Sequence, residues 1–246
     1  MFSKKLIQRL NHSSSVVVLT GAGISAESGV PTFRGKDGLW ENYNVQELAT
    51  PEAFNENRET FWKFYNWRRK LLNDIKPNLG HYALVDLENF LSDFTLITQN
   101  VDNLHQKAGS KNVIELHGNI THTYCIDCNF RTNRDEFEDE VDGIPRCPEC
   151  NGYMRPDVVL FGETLDPECL TKAQEASATC EVFFSIGTSS LVEPAASLPY
   201  VAKGNGAYLV EINTEQTPLS VTADEALLGK SGKILPLLVM ILDRFR

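Results

Sequence analysis

With 246 residues the chain is long enough to bury a full core, and its size suits one large domain carrying a smaller appendage. Apolar residues make up 42% and charged residues 23%, as in ordinary globular chains, while a net charge of −10 argues against nucleic acid as a partner, since backbone binding needs clustered Lys and Arg. No apolar run approaches the roughly 20 residues a membrane span needs, and Gln8, Arg9, Asn11 and His12 break up the stretch after Lys4 and Lys5, so a cytoplasmic setting without a leader is expected.

The first predicted strand is the β-branched run 16–19, and behind it Gly21, Gly23 and Ala26 fit the pattern G-x-G-x-x-[GA]. Glycines there let the backbone approach a pyrophosphate, whose charge is received by the amides of the next helix. A dehydrogenase would continue into a second strand ending in an acid about 20 residues on. Here Gly29, Pro31, Gly35 and Gly38 interrupt the chain instead.

Residues 36–79 contain no strand candidate, and a long helical stretch is expected over 52–72. On it Phe61, Tyr65, Arg68 and Leu72 follow helical spacing and share one face, with Arg68 where the apolar stripe calls for Leu. A guanidinium on a buried face needs an anion. Arg68 either snorkels to water, pairs with a carboxylate of the protein or meets one carried by a ligand, to which Tyr65 would add a hydroxyl donor.

Further strands are predicted at 94–98, 113–116, 158–161, 182–186 and 208–212, with helices at 81–91, 167–178 and 195–203 between them. Uninterrupted apolar strands alternating with helices predict a Rossmann-like open parallel α/β sheet, with ligands beyond the strand C-termini. The polar residues at those tips are Gln99, Asn100 and Asp102, then His117 and Gly118, then Gly187, Thr188 and Ser189, then Asn213. A single His after a strand is more often a hydrogen-bonded structural residue than a base, but several polar tips on one sheet edge suit a dinucleotide site.

Cys125-x-x-Cys128 and Cys147-x-x-Cys150 are separated by eighteen residues. That spacing predicts one structural zinc ion held by four thiolates with no open position. Cys169 and Cys180 have no motif around them and are expected to be buried thiols. The acidic run 135–142 is expected to be a solvated face. The division expected is a Rossmann-like domain from 1–35, 80–120 and 156–246, a smaller lobe from the helical insertion and cofactor loop 36–79, and the zinc-binding module 121–155.

GAGIS (21–25), GVPTFRG (29–35), TQNVD (98–102), LHG (116–118), the paired CxxC, VLFGE (159–163), GTS (187–189) and NTE (213–215) together resemble the sirtuins, NAD-dependent protein-lysine deacylases. The pieces occur in family order along nearly the whole chain; Thr32 stands where many members carry an acid. The resemblance implies that Gly21, Ala22, Gly23, Ala26 and Glu27 serve the phosphates and ribose, and that Phe33 and Arg34 close over the cofactor. It also implies that Gln99 contacts a ribose, that Asn100 and Asp102 orient the nicotinamide end, and that Gly187, Thr188, Ser189, Asn213 and Ser231 line the adenosine half. His117 matches the general base, a role that a neutral imidazole suits near pH 7. The resemblance implies that Val159, Phe161, Gly162 and Glu163 belong to a strand that pairs with the substrate backbone, flanked on the other side by 191–193. The products implied are free lysine, nicotinamide and O-acyl-ADP-ribose.

Tyr65-x-x-Arg68 further resembles the signature of the sirtuins that remove succinyl, malonyl and glutaryl groups, and Ala49 corresponds to the small residue that leaves their acyl pocket roomy. Acylated-lysine proteins or peptides are the implied partners of a monomer. A general deacetylase with a structural Arg68, a mono-ADP-ribosyltransferase and a non-enzymatic NAD sensor or zinc-ribbon module are the alternatives, the last disfavoured by a base beside the ribose.

Overall fold

The computed structural model describes residues 2–32, 38, 44–128, 130–133 and 144–245; Phe33, Arg34 and the acidic run 135–142 lie outside them. Among the described residues the strands are β1 Val16–Thr20, β2 Phe94–Thr98, β3 Val113–Glu115, β4 Gly118–Cys125, β5 Arg131–Asn133, β6 Met154–Val158, β7 Val182–Ile186, β8 Tyr208–Asn213 and β9 Glu225–Leu228. Six of them form a parallel sheet in the order β3-β2-β1-β7-β8-β9. The order reverses between β1 and β7, which opens a crevice at their C-terminal ends.

Period-two alternation explains the apolar runs. In β1, Val16 and Val18 face a core shared with Leu6, Leu84, Leu87, Leu235 and Leu238, while Val17 and Leu19 face another shared with Ala173, Leu198 and Leu209. Helices Leu79–Phe90 and Ser231–Leu242 cover the first face, and Pro167–Thr179 and Leu198–Gly204 the second. Each large apolar side chain removed from water contributes about 1.5–3 kcal/mol. A one-residue slip of β1 would exchange its faces, so the register Val16↔Phe94 and Val16↔Val182 is strongly specified.

A second lobe holds the antiparallel sheet β5-β4-β6, packed against helices Pro51–Glu56 and Arg58–Asn73. Trp62 Nε1 donates to Met154 O at 3.2 Å, and Arg69 donates to Ile120 O at 2.7 Å and to His122 O at 2.9 Å. The long helix is thereby bolted to β4 and β6 by bonds that satisfy buried polar groups. The strands of this lobe extend a few residues beyond 121–155 on both sides.

Two local expectations are corrected. The stretch 52–72 is broken at Asn57, whose non-helical backbone ends one helix and whose side chain, accepting from Thr60 N at 3.0 Å, starts a new one. The run 158–161 is no strand of the parallel sheet: Val158 ends β6, and 159–161 crosses between the lobes through Val159 N to His117 O and Phe161 N to Ala49 O, each 2.9 Å. Helices Lys4–His12 and Ser231–Leu242, the latter containing Pro236, and strands β4, β5, β6 and β9 are further described elements that the sequence patterns did not signal.

Candidate active site

At the switch point the loop after β1 meets the loop after β7 almost backbone to backbone. Gly23 N donates to Gly187 O at 2.8 Å, and a Cβ on Gly23 would stand 2.7 Å from Gly187 Cα. Gly187 itself has φ +60, so side chains are excluded from both partners. The approach leaves bare backbone facing a cleft of about 500 Å³ between the two lobes.

Most of the residues implied by the resemblance converge on this cleft. Gly21, Ala22, Gly23, Gln99, Asn100, Gly187, Thr188, Ser189 and Asn213 line it from the large sheet; Ala49, Tyr65 and Arg68 line it from the helical lobe. His117, Val159, Phe161, Gly162 and Glu163 line it where the chain crosses between the lobes. Gln99 Nε2 donates to Thr188 Oγ1 at 3.0 Å and Asn213 Nδ2 to Thr188 O at 2.9 Å, which knits the tips of β2, β7 and β8.

Four assigned residues are not on the cleft wall. Ala26 and Glu27 lie beyond it; Glu27 accepts from Gly232 N at 2.8 Å and from Ser231 Oγ at 3.4 Å, closing the first turn of the helix that Ser231 begins. An acid at a helix N-terminus meets its unpaired amides. Asp102 stands behind Asn100, accepting from Ser25 Oγ at 2.7 Å and Leu104 N at 3.0 Å. Ser25, present in GAGIS but assigned no role, is the link: Asn100 Nδ2 donates to Ser25 Oγ at 3.2 Å and to Gly21 O at 3.1 Å. These two bonds fix the plane of the Asn100 carboxamide. Glu193, of the flanking segment 191–193, and Thr214 and Glu215, the rest of the NTE motif, also reach the cleft.

His117 Nδ1 lies 2.9 Å from Gln99 O. A carbonyl only accepts, so Nδ1 carries the proton and Nε2 is left as the basic nitrogen. Burial lowers the imidazole pKa from 6.5, against the Gln99 bond, which raises it. The ring is therefore neutral, and able to take a proton, at pH values below its ordinary titration. The acid limb of kcat/KM for the dinucleotide, which reports the free enzyme, is expected to fall with a midpoint below 6.5; a midpoint above 6.5, measured from pH 5 to 9, would contradict this protonation state.

In the pocket wall Tyr65 is 3% and Arg68 8% exposed. Burial pushes the Tyr65 hydroxyl up to about 12, with Arg68 and Arg155 opposing, so it remains a donor. Burial depresses Arg68, against its attraction to Tyr65 and Asp102. Cation, phenol and base thus face one cavity.

In the zinc module the four Sγ atoms of Cys125, Cys128, Cys147 and Cys150 lie within 4.8 Å of one another, with Cys125–Cys150 and Cys128–Cys147 both at 3.5 Å. A tetrahedral Zn–S distance of about 2.3 Å requires sulfur separations near 3.8 Å, so the donor set fits zinc. Asp127 N and Gly152 N each point at a ligand sulfur at 3.4 Å, giving each knuckle an amide that favours thiolate.

The Sir2 family model matches residues 21–194. An NAD-dependent protein deacylase of Aquifex aeolicus is 52% identical over 211 residues, covering 85% of this chain and 87% of its own. One from Pyrococcus furiosus is 50% identical over 238 residues, covering 94% of both. Among solved structures, a mutant Sir2 homologue in complex with ADP-ribose superposes with a TM-score of 0.95 at 43% identity, covering 99% of this chain and 98% of that one. A Sir2 protein with a p53 peptide and NAD+ superposes with a TM-score of 0.89 at 35% identity over the full length of both. Likeness of this extent, in sequence and in the course of the backbone alike, makes the chain a member of the Sir2 family.

Proposed function

We propose that this chain is an NAD-dependent protein-lysine deacylase that prefers succinyl and malonyl groups, with glutaryl a further substrate and acetyl a weaker one. The deacylase activity is supported by the names of relatives about half identical to it. The acyl preference rests on one observation: Arg68 and Tyr65, both buried, line the same cleft as His117.

When bound, NAD supplies an electrophilic ribose carbon and nicotinamide as the leaving group. The bare backbone at Gly21, Gly23 and Gly187 receives the dinucleotide, and Asn100, its carboxamide plane fixed, orients the nicotinamide end. The 159–163 segment places the acyl-lysine so that its carbonyl oxygen reaches the ribose, a gain of orientation rather than of reactivity. His117 Nε2 accepts the ribose hydroxyl proton, and Nδ1–H stays on Gln99 O throughout. With one water consumed to release the amine from the acyl carbon, free lysine, nicotinamide and O-acyl-ADP-ribose would leave the site.

Arg68 would grip the acyl carboxylate from the far end of the pocket, with the Tyr65 hydroxyl as a second donor and Ala49 leaving room. Arg68→Met is expected to cut kcat/KM for a succinyl-lysine peptide roughly ten- to a hundredfold more than for the same peptide acetylated. Equal losses on both would return Arg68 to structure. A general deacetylase is the second reading, and the attraction between Asp102 and Arg68 favours it.

Acylated-lysine proteins are the proposed partners, in keeping with the peptide held by the related Sir2 protein. A monomer in the cytoplasm is part of the same proposal, supported by a four-thiolate ligand set of the kind a reducing compartment preserves. Among the described residues no helix is long and apolar enough to cross a membrane.

A further inference from the structure

Arg155, in β6, is 5% exposed. Its Nη1 donates to Glu163 Oε1 at 2.7 Å and its Nη2 to Glu163 Oε2 at 2.8 Å, with Nη2 also donating to Val158 O at 3.0 Å. The fork is bidentate, the geometry that adds orientation to attraction. Glu163 Oε2 also accepts from Leu160 N at 2.8 Å, and Glu163 N donates to Leu160 O at 3.0 Å. Both polar groups of the Leu160 backbone are therefore taken up by Glu163, across a turn in which Gly162 has φ +92.

The neighbouring residues are tied in the other direction. Val159 N donates to the main-chain oxygen of His117, and Phe161 N to that of Ala49. One short segment is thus anchored at three successive residues, Val159 to the base, Leu160 to the ion pair and Phe161 to the acyl-pocket wall. With both carboxylate oxygens engaged, Glu163 acts through the backbone.

Stability alone is a poor reason for such a pair: Arg155 is buried while Glu163 keeps part of its side chain exposed, and ion pairs drawn out of water are commonly replaced by apolar residues without loss. Geometry is the better reason. We propose that Arg155 and Glu163 are positioning residues whose ion pair fixes the turn at 160–163 and so holds the 159–161 backbone against His117 and Ala49, setting the affinity for the acyl-lysine peptide. This rests on the deacylase function, because that peptide is the ligand concerned.

The test compares Glu163→Ala, Glu163→Gln, and the paired apolar replacement Arg155→Met with Glu163→Leu in the full chain. Glu163→Ala and the apolar pair are expected to raise the peptide KM roughly ten- to a hundredfold, the range for losing a charge-assisted bond. The KM for NAD is expected to stay level, and kcat to change far less than the peptide KM. Glu163→Gln keeps an acceptor for Leu160 N and is expected to fall between these variants and wild type. The apolar pair gives up the bonds to Leu160 N and Val158 O and is expected to melt about a few degrees lower while staying folded at the assay temperature, so that a peptide KM shift with a level NAD KM separates positioning from stability.

Amide exchange provides a readout that needs no turnover: the Leu160 amide is expected to exchange faster in Glu163→Ala while the amides of β1 do not. An unchanged peptide KM, or equal damage to both substrates' KM values and to kcat, would overturn the proposal. If Glu163→Ala does not fold, the same criteria apply to Glu163→Gln. Wild-type protein inactive on every acyl-lysine peptide would overturn the deacylase function and the affinity claim with it; an active wild type with unaltered peptide KM in the variants would overturn the clamp alone.

Discussion

Replacing His117 by Ala is expected to abolish deacylation while leaving NAD bound. The imidazole is the group in the cleft whose tautomer is set, by the Nδ1 bond to Gln99 O, to present a basic Nε2. Positioned general bases contribute about 10²–10⁴-fold to rate, and a loss of that size in kcat at saturating peptide and NAD is the expected result. The substitution spares the His117 carbonyl, which holds Val159 N, so the crossing segment keeps its place. The glycine approach of β1 to β7 lies in other residues, so the NAD dissociation constant by calorimetry is expected to change little. Turnover that survived unchanged would place the base elsewhere.

Removing the metal is expected to unfold the small lobe. Cys125 and Cys147 are buried in the same apolar cluster as Trp62, Ile120 and Met154, so their thiolates need a cation to be tolerated there. Structural zinc contributes apparent free energies of about 10–16 kcal/mol in small peptides, as large as the whole stability of a typical domain, roughly 5–15 kcal/mol. Cys147→Ser is expected to drop the metal content from one zinc per chain and to lower the melting temperature steeply. Chelator is expected to do the same to wild type. Activity should go with it, because β6 carries Arg155 and runs directly into the crossing segment. A melt unaffected by chelator, with metal measured before and after, would show that the four sulfurs do not need an ion.

Features set by neighbours along the chain were legible from the residues alone. The central strands, the helices near 81–91 and 167–178, the cysteine quartet and the glycine turn after β1 all follow from local periodicity, spacing and backbone freedom, and each is present. Most residues assigned through the sirtuin resemblance stand on one cleft for the same reason: they sit at the ends of strands whose direction the apolar runs already implied. The errors are also local in origin. Residues 158–161 are apolar enough for a core strand, but their pairing goes to His117 and Ala49, distant in the chain.

What depended on folding was every bond between segments far apart in sequence. Spacing does not show that the Asn100 amide is held by Gly21 O and Ser25 Oγ, or that Glu27 and Ser231 meet at a helix end and leave the cleft wall. Nor does it show that Glu163 faces Arg155. Hydrogen bonds and ion pairs act over about 3 Å, and which groups come that close is settled by how the parallel sheet and the zinc lobe pack. Residue types and their order name the family and its chemistry; the packing assigns each polar side chain to the reaction or to the support of its neighbours.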